Sequence, residues 1–203
     1  FSAVSDNGRY VAFQSNAKNL VAGDTNGKTD VFVRDVVGGT TTRVSVNSTG
    51  VQGNNHSQFP DISGDGRYVA FQSLATNLVA TPTVSWWDVF VHDRQTGATT
   101  LFTINGGAPD SGAEEPAISA NGRYVAVESS SYLPGDGTAA WVTILRHDRQ
   151  TGATGRVLWT SGDSFRPAIS AAGLYTAYSS AAVRYPLDRD GHEDVIAVRS
   201  PPG

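Results

Sequence analysis

Two segments of the chain carry oxygen-rich side chains at a spacing that could bind a hard cation. Residues 24–30 and 188–194 share the pattern Asp-x-[Asp/Asn]-Gly-x-x-Asp. Two or three carboxylate or amide oxygens around a turn that glycine permits form the donor set that Ca²⁺ prefers. The pattern predicts a calcium site with the ligands Asp24, Asn26 and Asp30, and a second with Asp188, Asp190 and Asp194. The alternative is an Asx-turn that orders a long loop without a metal.

A second group of candidates is aromatic. Five large aromatic side chains fall in the connections before the third strand of a repeat, namely Trp86, Trp87, Tyr132, Trp141 and Tyr185. Exposed aromatic rings stack on sugar rings or anchor a partner protein, which predicts a ligand-binding surface on these loops. The alternative is that each ring fixes its own loop to the body of the domain.

No catalytic residue is predicted. The chain has no Cys, which excludes a thiolate nucleophile and a disulfide scaffold, and it lacks the Gly-x-Ser-x-Gly motif of a nucleophilic serine. The adjacent carboxylates Glu114 and Glu115 lie in an extended segment, where neighbouring side chains point to opposite sides. This geometry is unsuited to shared acid–base chemistry.

Charge and hydropathy exclude two classes of partner. The 15 Lys and Arg residues are outnumbered by 19 Asp and Glu, for a formal net charge of -4. This balance argues against a nucleic-acid-binding surface. No apolar run approaches the ~20 residues that a membrane span requires, so no spanning segment is predicted.

The elements that position these candidates belong to an internal repeat. Residues 5–13 return at 63–71, at 119–127 and more loosely at 170–178. A second block at 30–35 returns at 88–93, 143–148 and 194–199. In the second copy, residues 60–63, 68–71, 89–91 and 99–103 read as four strands, the first two joined by a two-residue Asp-Gly hairpin turn. Repeats of about 40–50 residues with four strands each are typical of a β-propeller.

The repeat resembles a known family. The block Ser-x-[Asp/Asn]-Gly-Arg-Tyr-Val-Ala-Phe, followed by Asp-Val-Phe-Val-x-Asp-x-x-Thr-Gly, is similar to the TolB-like β-propeller repeat, and the resemblance covers nearly the whole chain. It implies an all-β fold and a location outside the cytoplasm, either extracellular or periplasmic. It leaves activity open, because such blades occur in binding proteins, in peptidase accessory domains and in polysaccharide lyases.

We therefore expect one β-propeller domain over residues 1–203, with four blades at about 1–50, 59–105, 115–160 and 166–200. The chain opens on the first strand of a blade, and residues 194–199 read as a third strand with no fourth after it, which makes fifteen strands. Three alternatives follow: a larger propeller with more blades, closure by a strand from a partner, or a three-stranded last blade. An open strand edge also favours a homo-oligomer.

Because neighbouring strands of a blade run in opposite directions, the connections between them divide between the two faces of the propeller. The turns between first and second and between third and fourth strands are short and share one face, while the long connections 16–29, 47–58 and 105–114 share the other. Function tends to reside on loops held by a rigid scaffold. The predicted function is a non-catalytic module that binds a protein or glycan through the long-loop face. The alternatives are the propeller portion of a larger secreted hydrolase or polysaccharide lyase, and a self-assembling surface protein.

Overall fold

All regular secondary structure among the described residues is β-strand. The computed structural model describes residues 1–81, 86–103, 112–130, 142–157, 163–180, 192 and 194–199, and these contain fifteen strands in four antiparallel sheets. The all-β propeller prediction is confirmed. No helix in the described part of the chain is long and apolar enough to cross a membrane.

Each sheet follows the chain, with every strand hydrogen-bonded to the next. Sheet 1 contains β1 (Ser2–Val4), β2 (Tyr10–Ser15), β3 (Asp30–Asp35) and β4 (Thr40–Arg43). Sheet 2 contains β5 (Ser57–Ile62), β6 (Tyr68–Ser73), β7 (Asp88–Asp93) and β8 (Thr99–Leu101). Sheet 3 contains β9 (Ala113–Ile118), β10 (Tyr124–Ser129), β11 (Thr143–Asp148) and β12 (Thr154–Arg156). Sheet 4 has three strands among the described residues, as predicted: β13 (Ser164–Ile169), β14 (Tyr175–Ser180) and β15 (Asp194–Arg199).

Apolar side chains between consecutive sheets form the core. Between sheets 1 and 2, Val31 packs in one cluster with Val69 and Phe71. Between sheets 3 and 4, Ile144 packs with Ile196. The strands are apolar on both faces because each inner sheet is covered by two neighbours. The first strands of successive sheets lie side by side, β1 against β5, β5 against β9 and β9 against β13, so they are the innermost strands.

The turn between the first two strands is longer than the two-residue hairpin that the Asp-Gly signal predicts. Ile62 pairs with Val69, and the Ser63 N–H donates to the Tyr68 carbonyl at 2.9 Å. The Asp65 carboxylate accepts from the Ser63 hydroxyl at 2.6 Å and from the Arg67 N–H at 2.9 Å. The Asp65 carboxylate thus stabilises the longer turn through two hydrogen bonds.

The repeated Gly-Arg-Tyr triplet joins neighbouring sheets. The ring of Tyr10 lies so close to Gly66 in the turn of the next sheet that a Cβ on Gly66 would collide with it. Arg94 of that next sheet covers the ring at 4.4 Å and donates to the Gly66 carbonyl at 2.6 Å. We call this contact the Tyr–Gly latch. It recurs between sheets 2 and 3 as Tyr68 on Gly122, and the corresponding ring of sheet 3 packs on the turn glycine of sheet 4.

The arginine of the same triplet forms an ion pair between two strands of its own sheet. Arg67 donates two hydrogen bonds to the Asp93 carboxylate, at 2.9 and 2.7 Å, and the pKa of Asp93 is lowered mainly by this guanidinium. In sheet 3, Arg123 makes the same pair with Asp148 and lowers the pKa of that carboxyl to about 2. A bidentate pair of this kind fixes the start of the second strand against the end of the third.

Candidate functional site

The first predicted cation site is an Asx-turn in this structure. Asn26 Oδ1 accepts from the Lys28 N–H at 2.8 Å, which closes the turn. The Asn26 amide donates to Asp30 at 3.0 Å and to the Gly53 carbonyl at 2.8 Å. Its oxygen and its nitrogen are therefore both used within the protein.

A protein side chain supplies a positive charge between the two carboxylates of that turn. Arg43 Nη1 lies 3.6 Å from Asp24 and 3.5 Å from Asp30, and all three side chains are largely buried. Burial raises the pKa of Asp30, which also accepts a hydrogen bond from the Ser45 hydroxyl at 2.6 Å. Within the described ranges, no group of three or more His, Cys, Asp or Glu could hold a metal ion.

The calcium hypothesis stays a prediction at both segments. At Asp24, Asn26 and Asp30 a Ca²⁺ ion would have to displace the Arg43 guanidinium. In the second segment, Asp188 and Asp190 lie outside the described residues, and Asp194 is the exposed first residue of β15.

The aromatic surface is described only in part. Trp86 is 67% exposed just before β7, whereas Trp87 is half-buried and its carbonyl accepts from the Gly112 N–H at 3.1 Å. Tyr132, Trp141 and Tyr185 lie outside the described residues. The structure therefore describes two of the five predicted ligand-binding residues, which are adjacent in sequence, and the long-loop surface stays a prediction.

A cavity lies elsewhere, along the innermost strands. It has a volume of about 510 Å³ and is lined by β1, β5, β9, β13 and the turns that follow them. We call it the axial cavity. Since its wall includes Asp6, Gly64, Ala120 and Ala171 of the short turns, it extends toward the short-turn face. The predicted binding surface is the opposite, long-loop face.

Three residues that line the axial cavity have a left-handed backbone. Phe59, Glu115 and Arg166 have φ angles of 51°, 44° and 53°, and each interrupts the register of its strand. They occupy the same repeat position, directly before a proline of the innermost strand. A non-glycine residue in this conformation costs about 1–2 kcal/mol, and such strain is concentrated at functional sites. We call these three the bulge residues.

Each bulge residue is held by a side chain from the preceding sheet. Gln14 Oε1 accepts from the Phe59 N–H at 2.8 Å, and Gln72 Oε1 accepts from the Glu115 N–H at 2.8 Å. Glu128 does the same for the Arg166 N–H at 2.6 Å. The third copy therefore uses a titratable carboxylate where the other two use a neutral amide.

The bulge changes the outcome expected for the Glu114–Glu115 pair. Alternation predicts carboxylates on opposite sides, but both act on Glu128 because Glu115 is left-handed. Glu114 is the cross-strand neighbour of Glu128, and Glu115 lies close enough to act on its charge. Burial, assisted by these two carboxylates, raises the pKa of Glu128 to about 7. Both carboxylates thus influence one neighbouring group, while the absence of shared acid–base chemistry in this pair stays a prediction.

A further carboxylate contributes to the cavity wall from its own innermost strand. Asp61 accepts from the Ile62 N–H at 2.9 Å and from the Ile118 N–H of the next sheet at 2.7 Å. Burial raises its pKa. The corresponding repeat positions hold Ala3, Ala117 and Ala168, so this acidic group is particular to one blade.

Sequence reasoning missed the cavity because its residues vary between copies. The position before the proline holds Phe59, Glu115 or Arg166, so the constant residues of the repeat do not mark it. The recurring prolines at 60, 116 and 167 were the available signal, since proline inside a strand marks an irregularity.

Comparison with known proteins identifies the fold. No family model matches the chain, and no curated protein matches it by sequence. Among solved structures, TolB from Acinetobacter baumannii superposes with a TM-score of 0.60 at 17% identity, over 98% of this chain and 40% of that protein. A protein assigned as TolB from Agrobacterium tumefaciens gives 0.62 at 18% identity, over 98% and 60%.

An enzyme structure is also similar. A prolyl endopeptidase superposes with a TM-score of 0.58 at 17% identity, over 98% of this chain and 27% of that protein. The chain thus spans less than two thirds of the length of each of these proteins. At such low identity the similarity establishes a shared fold and leaves the ligand to be argued from the site.

Proposed function

With a TolB-like β-propeller fold as the premise, we propose that the chain is a binding module that takes a segment of a partner protein into its axial cavity. The observation that carries the proposal is the set of three strained bulge residues, presented into one cavity by three successive sheets. A location outside the cytoplasm belongs to the same proposal and rests on the resemblance alone.

The composition of the cavity wall favours a polypeptide. Phe1 and Phe59 form an aromatic pair with ring centroids 4.1 Å apart, and three prolines add apolar surface. Glu115 and Arg166 bring charges of opposite sign to the same wall. A peptide segment carries apolar groups and both charges within a few residues, so it can satisfy this mixture.

Panning an immobilised random-heptapeptide library against the wild-type chain tests the proposal. Selected peptides should lose binding to Arg166→Ala and to Glu115→Gln, because both substitutions change the cavity. The matched control is Trp86→Ala on the long-loop face, which should bind the same peptides as the wild type.

The outcomes separate the competing interpretations. Loss of binding in Trp86→Ala alone would assign recognition to the long-loop face and refute the cavity proposal. A glycan array in parallel tests the carbohydrate alternative, and binding there without any selected peptide would also refute it.

A second candidate is the propeller portion of a larger hydrolase or lyase, which the structural similarity to a prolyl endopeptidase favours. Sequencing the parent reading frame tests it directly. A catalytic domain in the same frame would support this candidate, and its absence would oppose it.

A further inference from the structure

Two pockets on the short-turn face occupy the same place in successive repeats. They have volumes of about 420 and 320 Å³. The pocket between sheets 2 and 3 is lined by Tyr68, Asn121, Gly122, Arg123, Arg149 and Gln150. The pocket between sheets 1 and 2 is lined by Tyr10, Asp65, Gly66, Arg67, Arg94 and Gln95. These lining residues correspond one to one in the repeat, and they differ in a single exchange, which gives the Asn121 pocket and the Asp65 pocket their names.

Arg149 places a half-buried positive charge in the first of these pockets. Its guanidinium lies 4.2 Å from the centroid of the Tyr68 ring, and Nη1 donates to the Gly122 carbonyl at 2.5 Å. Burial lowers its pKa. It forms no ion pair with a carboxylate of the described residues, and the nearby Asp93 instead accepts two hydrogen bonds from Arg67. Since buried charges are normally paired, this guanidinium is available to an anion.

The other arginine of the Asn121 pocket is already neutralised. Arg123 donates two hydrogen bonds to Asp148, at 2.9 and 2.6 Å. None of the lining residues that the structure describes is acidic. The pocket therefore keeps the single positive charge of Arg149, which matches the single negative charge of a carboxylate. A planar guanidinium also fits the geometry of a carboxylate.

The Asn121 side chain adds a neutral donor beside that charge. Its Oδ1 accepts from the Ser119 hydroxyl at 2.6 Å and from the Arg123 N–H at 3.0 Å, which fixes the orientation of the amide. Nδ2 makes no hydrogen bond to the part of the chain that the structure describes, and the residue is exposed. A carboxylate in the pocket can therefore accept from Nδ2 and from Arg149 together.

The Asp65 pocket presents a negative charge at the same position. Asp65 Oδ1 accepts the two equivalent turn hydrogen bonds, from the Ser63 hydroxyl and the Arg67 N–H. Its Oδ2 consequently corresponds to the Nδ2 of the asparagine, and the carboxylate acts on the Arg67 guanidinium. This charge offsets that of Arg94 and repels an anion.

We propose that the Asn121 pocket binds a carboxylate group through Arg149 and Asn121 Nδ2, and that the Asp65 pocket does not. The site is independent of the axial cavity, because the two have no lining residue in common. The ligand class is an organic carboxylate, and its source is either a free carboxylic acid or an acidic side chain of a peptide.

NMR titration of the ¹⁵N-labelled chain with sodium acetate tests the proposal, with sodium chloride at the same ionic strength as the blank. In the wild type, the Asn121 side-chain amide and the Arg149 Nε–H should show saturable shifts, while the Arg94 Nε–H should stay unchanged. The blocked tripeptide acetyl-Ala-Glu-Ala-amide is the second probe. Tighter binding of the tripeptide than of acetate would support an acidic peptide as the source, and equal affinity would support a free acid.

Exchanging the two distinguishing residues makes the test specific. Asn121→Asp should weaken acetate binding about tenfold or more, because an anion replaces the donor. Asp65→Asn should give Arg94 the response that Arg149 shows in the wild type. Both variants should fold normally, since each residue supports the same turn elsewhere in the chain. Asn7→Asp is the matched control, because Asn7 makes the equivalent turn contacts in sheet 1 and lines neither pocket.

Three results would overturn the proposal. The first is a wild-type chain without saturable acetate shifts at Asn121 and Arg149. The second is an Asn121→Asp variant that binds acetate as tightly as the wild type, or an Asp65→Asn variant that gains no response at Arg94. The third is tighter binding of inorganic phosphate than of acetate at equal ionic strength, which would contradict the assignment of a carboxylate.

Discussion

Glu128 should make the junction of sheets 3 and 4 sensitive to pH. Its carboxylate accepts the Arg166 N–H at 2.6 Å, and burial together with Glu114 and Glu115 raises its pKa to about 7 from an ordinary 4.5. Between pH 4.5 and about pH 7, the folded protein therefore binds more protons than the unfolded chain. The free energy of unfolding should therefore fall as pH rises from about 4.5 to about 7, and stay low above it.

The perturbation is Glu128→Gln, which installs the amide that Gln14 and Gln72 provide at the same position. A pKa about 2.5 above its ordinary value corresponds to about 3 kcal/mol, at about 1.4 kcal/mol for each factor of ten. Since the carboxyl is only half-buried, solvent screening reduces this figure, and we expect a gain of about 1–2 kcal/mol at pH 8. At pH 4 the two proteins should be equally stable, because the carboxyl is then protonated.

Urea unfolding of both proteins at several values between pH 4 and pH 8 measures the effect. The difference in unfolding free energy between variant and wild type should grow from zero to its full value across this range. Arg166→Ala is a useful control, because it removes the side chain and leaves the backbone N–H that Glu128 accepts. Parallel pH profiles for Glu128→Gln and wild type would refute the reasoning, as would a variant that is less stable at pH 8.

Three further predictions concern stability. Gly122→Ala should destabilise by about 2 kcal/mol more than Gly152→Ala in thermal unfolding, because both have a left-handed φ but only the first would push a Cβ into the Tyr68 ring. Arg43→Ala should lower the unfolding free energy by about 3 kcal/mol in chelator by leaving two buried carboxylates unpaired. Adding Ca²⁺ to Arg43→Ala should restore part of that loss. Comparing the melting temperature of the wild type in Ca²⁺ and in chelator tests the metal prediction directly. Arg166→Asn should stabilise by about 1 kcal/mol in urea unfolding, because asparagine accepts the left-handed backbone more readily than arginine.

The strands could be predicted because their signals are local. The second strand of the second repeat was expected at 68–71, and β6 extends from Tyr68 to Ser73. Apolar runs and Asp-Gly turns lie within a few residues of the element that they specify. The longer turn was missed because its length depends on Asp65 accepting two hydrogen bonds, which the dipeptide does not encode.

The site was harder to predict because its contacts are distant in sequence. Arg43 reaches Asp24 and Asp30 from a different strand, so the oxygen-rich pattern alone could not reveal a competing cation. The Glu128 contact with Arg166 spans 38 residues and joins two sheets. The spacing of residues along the chain does not reveal which neighbouring sheet will pack on a given side chain.

The contrast between constant and variable repeat positions supports recognition at the axial cavity. The constant tyrosine and glycine hold sheets together in each latch, so their identity is dictated by packing. The bulge position keeps its strained backbone in three copies while its side chain changes from Phe59 to Glu115 to Arg166. If packing alone required the bulge, a glycine or asparagine would provide it at lower cost. A costly backbone with a different side chain in each blade is the arrangement expected where each blade contributes its own contact to one ligand.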